Sequence, residues 1–138
     1  MVVSAFASRT TATIDLPGLK DDGTPHQATV QKLSGRQLEA ASVAYLESLS
    51  KQVGVMQALE AAFAGRELPE SAPLAADPLQ GYDRYVVIQR GTKSWTLDAP
   101  VSAETIDDLD AAYVQALALG IMRLTLPDRF DGSAAKNA

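Results

Sequence analysis

From Leu38 onward the chain repeats an apolar residue every three or four positions: Leu38, Ala41, Tyr45, Leu49, Val53, Met56, Leu59 and Phe63. That spacing lines one side of an α-helix and fits no strand, whose side chains alternate with period two. Ser34 stands where the helix N-cap belongs, its hydroxyl able to accept from an early backbone N–H. Gly65 suits the C-terminal stop. The spacing therefore predicts a helix over 35–64, with Gly54 a weak point inside it. A chain of 138 residues built round so long an element is one domain with a largely helical core.

Ahead of this helix the pattern changes to period two. Ala12, Ile14 and Leu16 alternate with Thr11, Thr13 and Asp15, and Ala28, Val30 and Lys32 alternate with Thr29, Gln31 and Leu33. Two half-buried strands are predicted, broken at Pro17-Gly18 and joined by the turn-rich Lys20–Pro25 loop, as a hairpin over 11–33. Two strands alone are marginal and require a helix to cover them.

Residues 66–76, with Pro69 and Pro73, read as a connector. Asp77-Pro78-Leu79-Gln80 has the form of a helix start: Asp as cap, Pro at the first position, Gln three residues on. Tyr85, Ile88, Thr92 and Trp95 keep helical spacing, so a second helix is predicted over 78–94; a strand over 84–89 is the competing reading, because Tyr85-Val-Val-Ile-Gln89 has strand composition. After Pro100, Ser102 or Thr105 caps a third helix over 103–125. Ile106, Leu109, Tyr113, Leu117, Gly120, Ile121 and Leu124 form its apolar side, and Pro127 closes it. The expected fold class is mainly α (α+β): flexible residues 1–10, a single domain over 11–127 with an N-terminal β-hairpin and about three helices, and a flexible tail over 128–138.

Chemistry is sparse. No cysteine is present, which excludes disulfides, thiolate metal sites and a cysteine nucleophile. The one histidine, His26, falls in the hairpin loop with no serine or orienting carboxylate fixed beside it. Asp21-Asp22-Gly23 lacks the alternating acids and distant Glu of a calcium loop. Glu104, Asp107, Asp108 and Asp110 gather at a helix start, where negative charge complements the helix dipole. Gly18, Gly23 and Gly35 are too dispersed for a nucleotide fingerprint. Arg84, Arg90 and Lys93 lie among Tyr82, Tyr85 and Trp95, a superficial base-stacking platform, but the net charge of −5 opposes a phosphate-tracking surface. No apolar run reaches the roughly 20 residues that span a bilayer, and Met1–Arg9 lacks the basic and apolar regions of a signal peptide. The expectation is a protein that is not an enzyme and is not exported, with no catalytic residue, no cofactor, no metal, no nucleic acid and no membrane.

Two stretches resemble a known family. The first runs Ala12-Thr-Ile-Asp-Leu-Pro17, then Ala28-Thr-Val-Gln-Lys-Leu-Ser-Gly-Arg-Gln-Leu-Glu39. The second is Ser94-Trp-Thr-Leu-Asp98, then Pro100-Val-Ser-Ala-Glu-Thr-Ile-Asp-Asp-Leu-Asp110, followed by an Ala/Leu-rich helix. Over about residues 10–127 they resemble the tail assembly chaperones of long-tailed bacteriophages. The resemblance implies an acidic, non-enzymatic protein of the infected host's cytoplasm that coats the tape-measure protein and helps recruit tail-tube subunits, without remaining in the virion. Such proteins are often made in two lengths by a −1 ribosomal frameshift. Ala135-Lys136-Asn137 can be written GCA-AAA-AAC, which contains a slippery heptamer; the coding DNA decides.

A chaperone for a long amphipathic helix needs an apolar groove. Met56 and the Ala-rich final helix are the expected walls, with Met56, Trp95, Tyr113 and Leu117 as partner-binding residues and a homo-oligomer as a further expectation. Asp at Met56 or Leu117 should then weaken binding. Trp95 reads first as a core plug at the elbow, with a partner anchor as the alternative, and both apolar stripes read alternatively as the monomer's own core. The competing functions are a structural phage component, such as a connector or tail-associated protein, and a small host adaptor domain.

Overall fold

The structure, a computed structural model, describes residues 5–62 and 79–130. After a short 3-10 turn, Ala7–Arg9, come β1 (Thr11–Leu19), β2 (Pro25–Gln31), α1 (Gly35–Ala62), α2 (Arg84–Gly91), β3 (Thr92–Trp95), α3 (Ala103–Asp107), α4 (Ala111–Thr125) and α5 (Pro127–Phe130). The architecture is the expected α+β type with an N-terminal antiparallel hairpin. The sheet has three strands in the order β1-β2-β3.

The alternating runs pair as their pattern requires. Ala12 lies opposite Val30 and Ile14 opposite Ala28, and Leu16, Ala28 and Val30 are buried. Pro17-Gly18 does not end β1 as expected: the strand runs on to Leu19, with a register irregularity between Asp15 and Leu19. β1 is an edge strand, where a proline's missing N–H removes no hydrogen bond from the sheet. The turn beyond it closes through Lys20 N to Thr24 O (2.7 Å), with Gly23 at φ 85°.

The predicted second helix is corrected at both ends. Asp77 and Pro78 lie outside the described residues, Leu79–Gly81 form a turn, and the helix starts at Arg84, where the Asp83 carboxylate accepts from Val86 N at 3.0 Å. It ends at Gly91, and Thr92–Trp95 turn into the sheet, with Ala28 opposite Trp95 and Thr29 opposite Ser94. A Cβ on Gly91 would lie 2.6 Å from Ile121 Cγ2, so the backbone here approaches α4 as only glycine allows. The free edge of β2 then captures the residues that follow. The competing strand over 84–89 is absent; those residues are helical.

The predicted third helix is two. Ser102 and Thr105 cap each other's backbone to start α3. Asp110 then starts a new helix by accepting from Ala112 N at 2.9 Å. Pro127 opens the short α5 rather than a tail, since a proline at a first helical position forfeits no bond. Residues 131–138 of the expected tail, residues 1–4 of the expected flexible start and Phe63–Ala64 of the first helix lie outside the described residues.

α4 is the spine of the core. Leu117, Ala118, Ile121 and Met122 have no solvent exposure, and Val87, Ile88 and Ile106 close round them from α2 and α3. At Gly120 the helix comes so near the sheet that a Cβ would meet Ile14 at 2.6 Å. Thr125, buried, donates to Ile121 O (2.8 Å) and accepts from Leu33 N (3.0 Å), tying the end of α4 to the entrance of α1.

Candidate functional site

α1 begins as expected. Ser34 Oγ accepts from Gln37 N at 3.2 Å, and Gln37 Oε1 accepts from Ser34 N at 2.9 Å, a reciprocal cap that satisfies two otherwise orphaned donors. Its first turns join the body: Ala41 is fully buried, Leu38 packs against the core, and Ala41 O accepts from Asp83 N at 3.0 Å. The helix then continues as an arm. At about 1.5 Å per residue, its 28 residues make a rod of roughly 42 Å.

On that arm the apolar side chains stay in solvent. Val43 is 46% exposed, Leu46 57%, Leu49 41%, Val53 48%, Met56 51% and Leu59 42%. Leu46, Leu49, Val53 and Met56 follow one another at steps of three, four and three, which keeps them in one stripe along the helix. Glu47 and Lys51 fall on the opposite side, as does Val55, itself 60% exposed, while Glu60, four residues after Met56, stands on the line of the stripe. Isolated exposed leucines are common, whereas a contiguous row of them along one helix is not.

The four residues expected to meet a partner are not brought together. Met56 lies on the arm. Trp95 is half-buried at the end of β3, with its indole N–H donating to Ala99 O at 2.6 Å, and packs against the core. Tyr113 is half-buried on α4, its ring lying against Gly18 of the hairpin. Leu117 has no exposure at all, so it is a core residue and not a groove wall; Asp there would test folding, not binding. The stripe also includes Leu46, flanked by Val43, both of which the repeat from Leu38 passes over. The positions of Glu47 and Lys51 are the sequence sign that would have found them.

The remaining polar candidates are accounted for locally. His26 belongs to the start of β2 rather than to the loop, because pairing with β1 extends to Pro25. Its Nδ1 lies 2.9 Å from Thr96 Oγ1, which also accepts from Gln27 N at 3.0 Å. In the adjoining turn, the Thr24 hydroxyl and N–H both donate to Asp22, and the hydroxyl bond chiefly holds that carboxyl below the usual carboxylate range. Tyr82 lies under the Arg129 guanidinium, 5.3 Å from its ring centre, so it is engaged within the body. Among the described residues no group of three or more His, Asp or Glu side chains is placed to hold a metal ion. Among them, too, no helix is long and apolar enough to cross a membrane. Comparison with known proteins finds no matching family model, curated protein or solved structure.

Proposed function

We propose that this chain is a tail assembly chaperone of long-tailed bacteriophages, a non-enzymatic protein that shelters the tape-measure protein and helps bring tail-tube subunits to it in the host cytoplasm. The observation that carries the reading is the stripe on α1, solvent-facing over about 24 Å of the helix from Val43 to Leu59. A long amphipathic helix is the partner such a stripe fits, since two apolar helix faces bury each other along their length. The resemblance of residues 10–127 to that family supplies the identity of the client; the stripe supplies the means.

The test is co-expression with the tape-measure and tail-tube proteins that this reading expects to be encoded beside it. The wild-type chain should keep the tape-measure protein soluble and co-purify with it. Met56→Asp should lower the captured amount at least tenfold, and Lys51→Ala, on the opposite side of the helix, should leave it unchanged. Equal capture by wild type and Met56→Asp overturns the role of the stripe. Finding the chain in purified virions at the abundance of a structural subunit overturns the chaperone reading in favour of a particle component.

A further inference from the structure

We propose that the outer part of α1 is helical only intermittently in the free chain and becomes fully helical on its client, so that capture is coupled to folding of the arm. This rests on the arm being the client's site and adds how that site is regulated.

The observation is burial. From Leu46 to Glu60 every residue is exposed, fifteen in succession. α2, by contrast, buries Val87, Ile88 and Gly91, and α4 buries six residues, Leu117 and Ile121 among them. A helix in a folded protein draws most of its stability from the packing of an apolar side. About 12–15 residues without such packing are marginal in water even when rich in alanine. The outer arm has little but its own sequence to hold it.

That sequence holds a helix weakly. Val53-Gly54-Val55 sets three poor helix formers in a row: glycine loses the most backbone freedom on becoming helical, and each valine loses side-chain freedom. Ser48 and Ser50 offer hydroxyls that compete for nearby backbone groups. Glu47 and Lys51 have the spacing of a favourable pair. Against them stands Glu60, in a last turn with no basic residue, where a carboxylate meets the negative end of the helix dipole. The inner end is different. Leu38 and Ala41 join the core, and Asp83 N donates to Ala41 O, so the helix starts from a fixed nucleus and opens from its tip.

A client changes this balance. Leu46, Leu49, Val53 and Met56 form one row only while the arm is helical. An apolar partner laid along the row therefore binds the formed arm and not the open one. The affinity observed is that of the formed arm, reduced by the fraction of time for which it is formed. The result is a hold that is specific in shape and readily given up, which suits a client that must be handed on.

Two substitutions on the side of the helix away from the row alter its stability without touching the client. Gly54→Ala, with nothing within 4 Å of the added Cβ, should tighten binding of the tape-measure protein by the full chain. Ala58→Gly should weaken it, each by about fivefold, the worth of one glycine-for-alanine exchange in a helix. Titration calorimetry reads both. Hydrogen exchange followed by mass spectrometry reads the free chain: the amides of residues 46–60 should exchange within about tenfold of an unfolded chain, those of Leu117–Met122 far more slowly, and those of the arm should slow when the client binds. Equal affinities for the wild type and both variants overturn the coupling while leaving the chaperone reading in place. A free arm protected as strongly as α4 overturns it as well. If the tape-measure protein binds none of the three chains, the chaperone reading fails and the coupling with it, whatever the exchange of the free arm shows.

Discussion

The body and the arm of this protein are made from similar side chains in opposite circumstances. In the body, Leu117, Ile121 and Met122 stand at helical spacing on α4 and have lost all contact with water. On the arm, Leu49, Val53 and Met56 stand at the same kind of spacing on α1 and keep 41–51% of their surface exposed. Periodicity alone cannot tell the two apart, because it reports that a helix has an apolar side and not what covers it. What separates them is the surroundings. α4 is enclosed by β1, β2, α2 and α5, whereas among the described residues α1 contributes to the core from its first turns, through Leu38 and Ala41.

The largest effect expected from this contrast is at Leu117. Replacing it with Ala removes three heavy atoms' worth of packing at the centre of the core, a change that costs about 2–5 kcal/mol where the cavity cannot collapse. Denaturant melting should show that loss. The same truncation at Leu49, measured on the free chain, should shift the midpoint by no more than about 0.5 kcal/mol. Equal losses at the two sites would mean that the arm is as enclosed as the body.

Gly91 sharpens the contrast at the backbone. A Cβ there would sit 2.6–2.9 Å from three carbons of Ile121, and Ile121 is itself fully buried and has nowhere to move. Gly91→Ala should therefore destabilise the fold by about 1–3 kcal/mol through overpacking. Adding Ile121→Val should restore part of the loss, and the double-mutant cycle checks that coupling. If the two substitutions add independently, the close approach of α2 to α4 is not what constrains residue 91.

These two positions also show how much of the molecule could be read before its structure. Both strands of the hairpin were legible in their alternation, and so were the caps at Ser34 and Ser102, because each depends on residues close together in the chain. β3 was not legible. Tyr85, Ile88, Thr92 and Trp95 keep helical spacing straight through Gly91, and the reason to leave the helix there is Ile121, thirty positions away in sequence. The break at Asp108–Asp110 was hidden in the same way, since Ile106, Leu109 and Tyr113 preserve helical spacing across it while Asp110 restarts the helix with its own side chain. For the candidate site, Met56 was legible as part of an apolar stripe. Leu117 belonged to an equally good stripe, and only the packing of α4 against the sheet assigns it to the core.

The smallest effect expected is also the one whose sign reverses. Gly54, midway along the arm, has nothing within 4 Å of where a Cβ would stand. Its backbone is helical, with no positive φ to forbid a side chain. Gly54→Ala therefore meets no neighbour and only reduces the freedom the unfolded chain loses on forming the helix, which should stabilise α1 locally by about 1 kcal/mol. Hydrogen exchange of the amides from about residue 50 to Ala62 should slow as the arm frays less often. The global midpoint should hardly move, because the body can unfold or stay folded without the outer arm. The same substitution thus destabilises at Gly91 and stabilises at Gly54. Slower exchange across the whole molecule, rather than in the arm alone, would show that the two regions unfold as one unit.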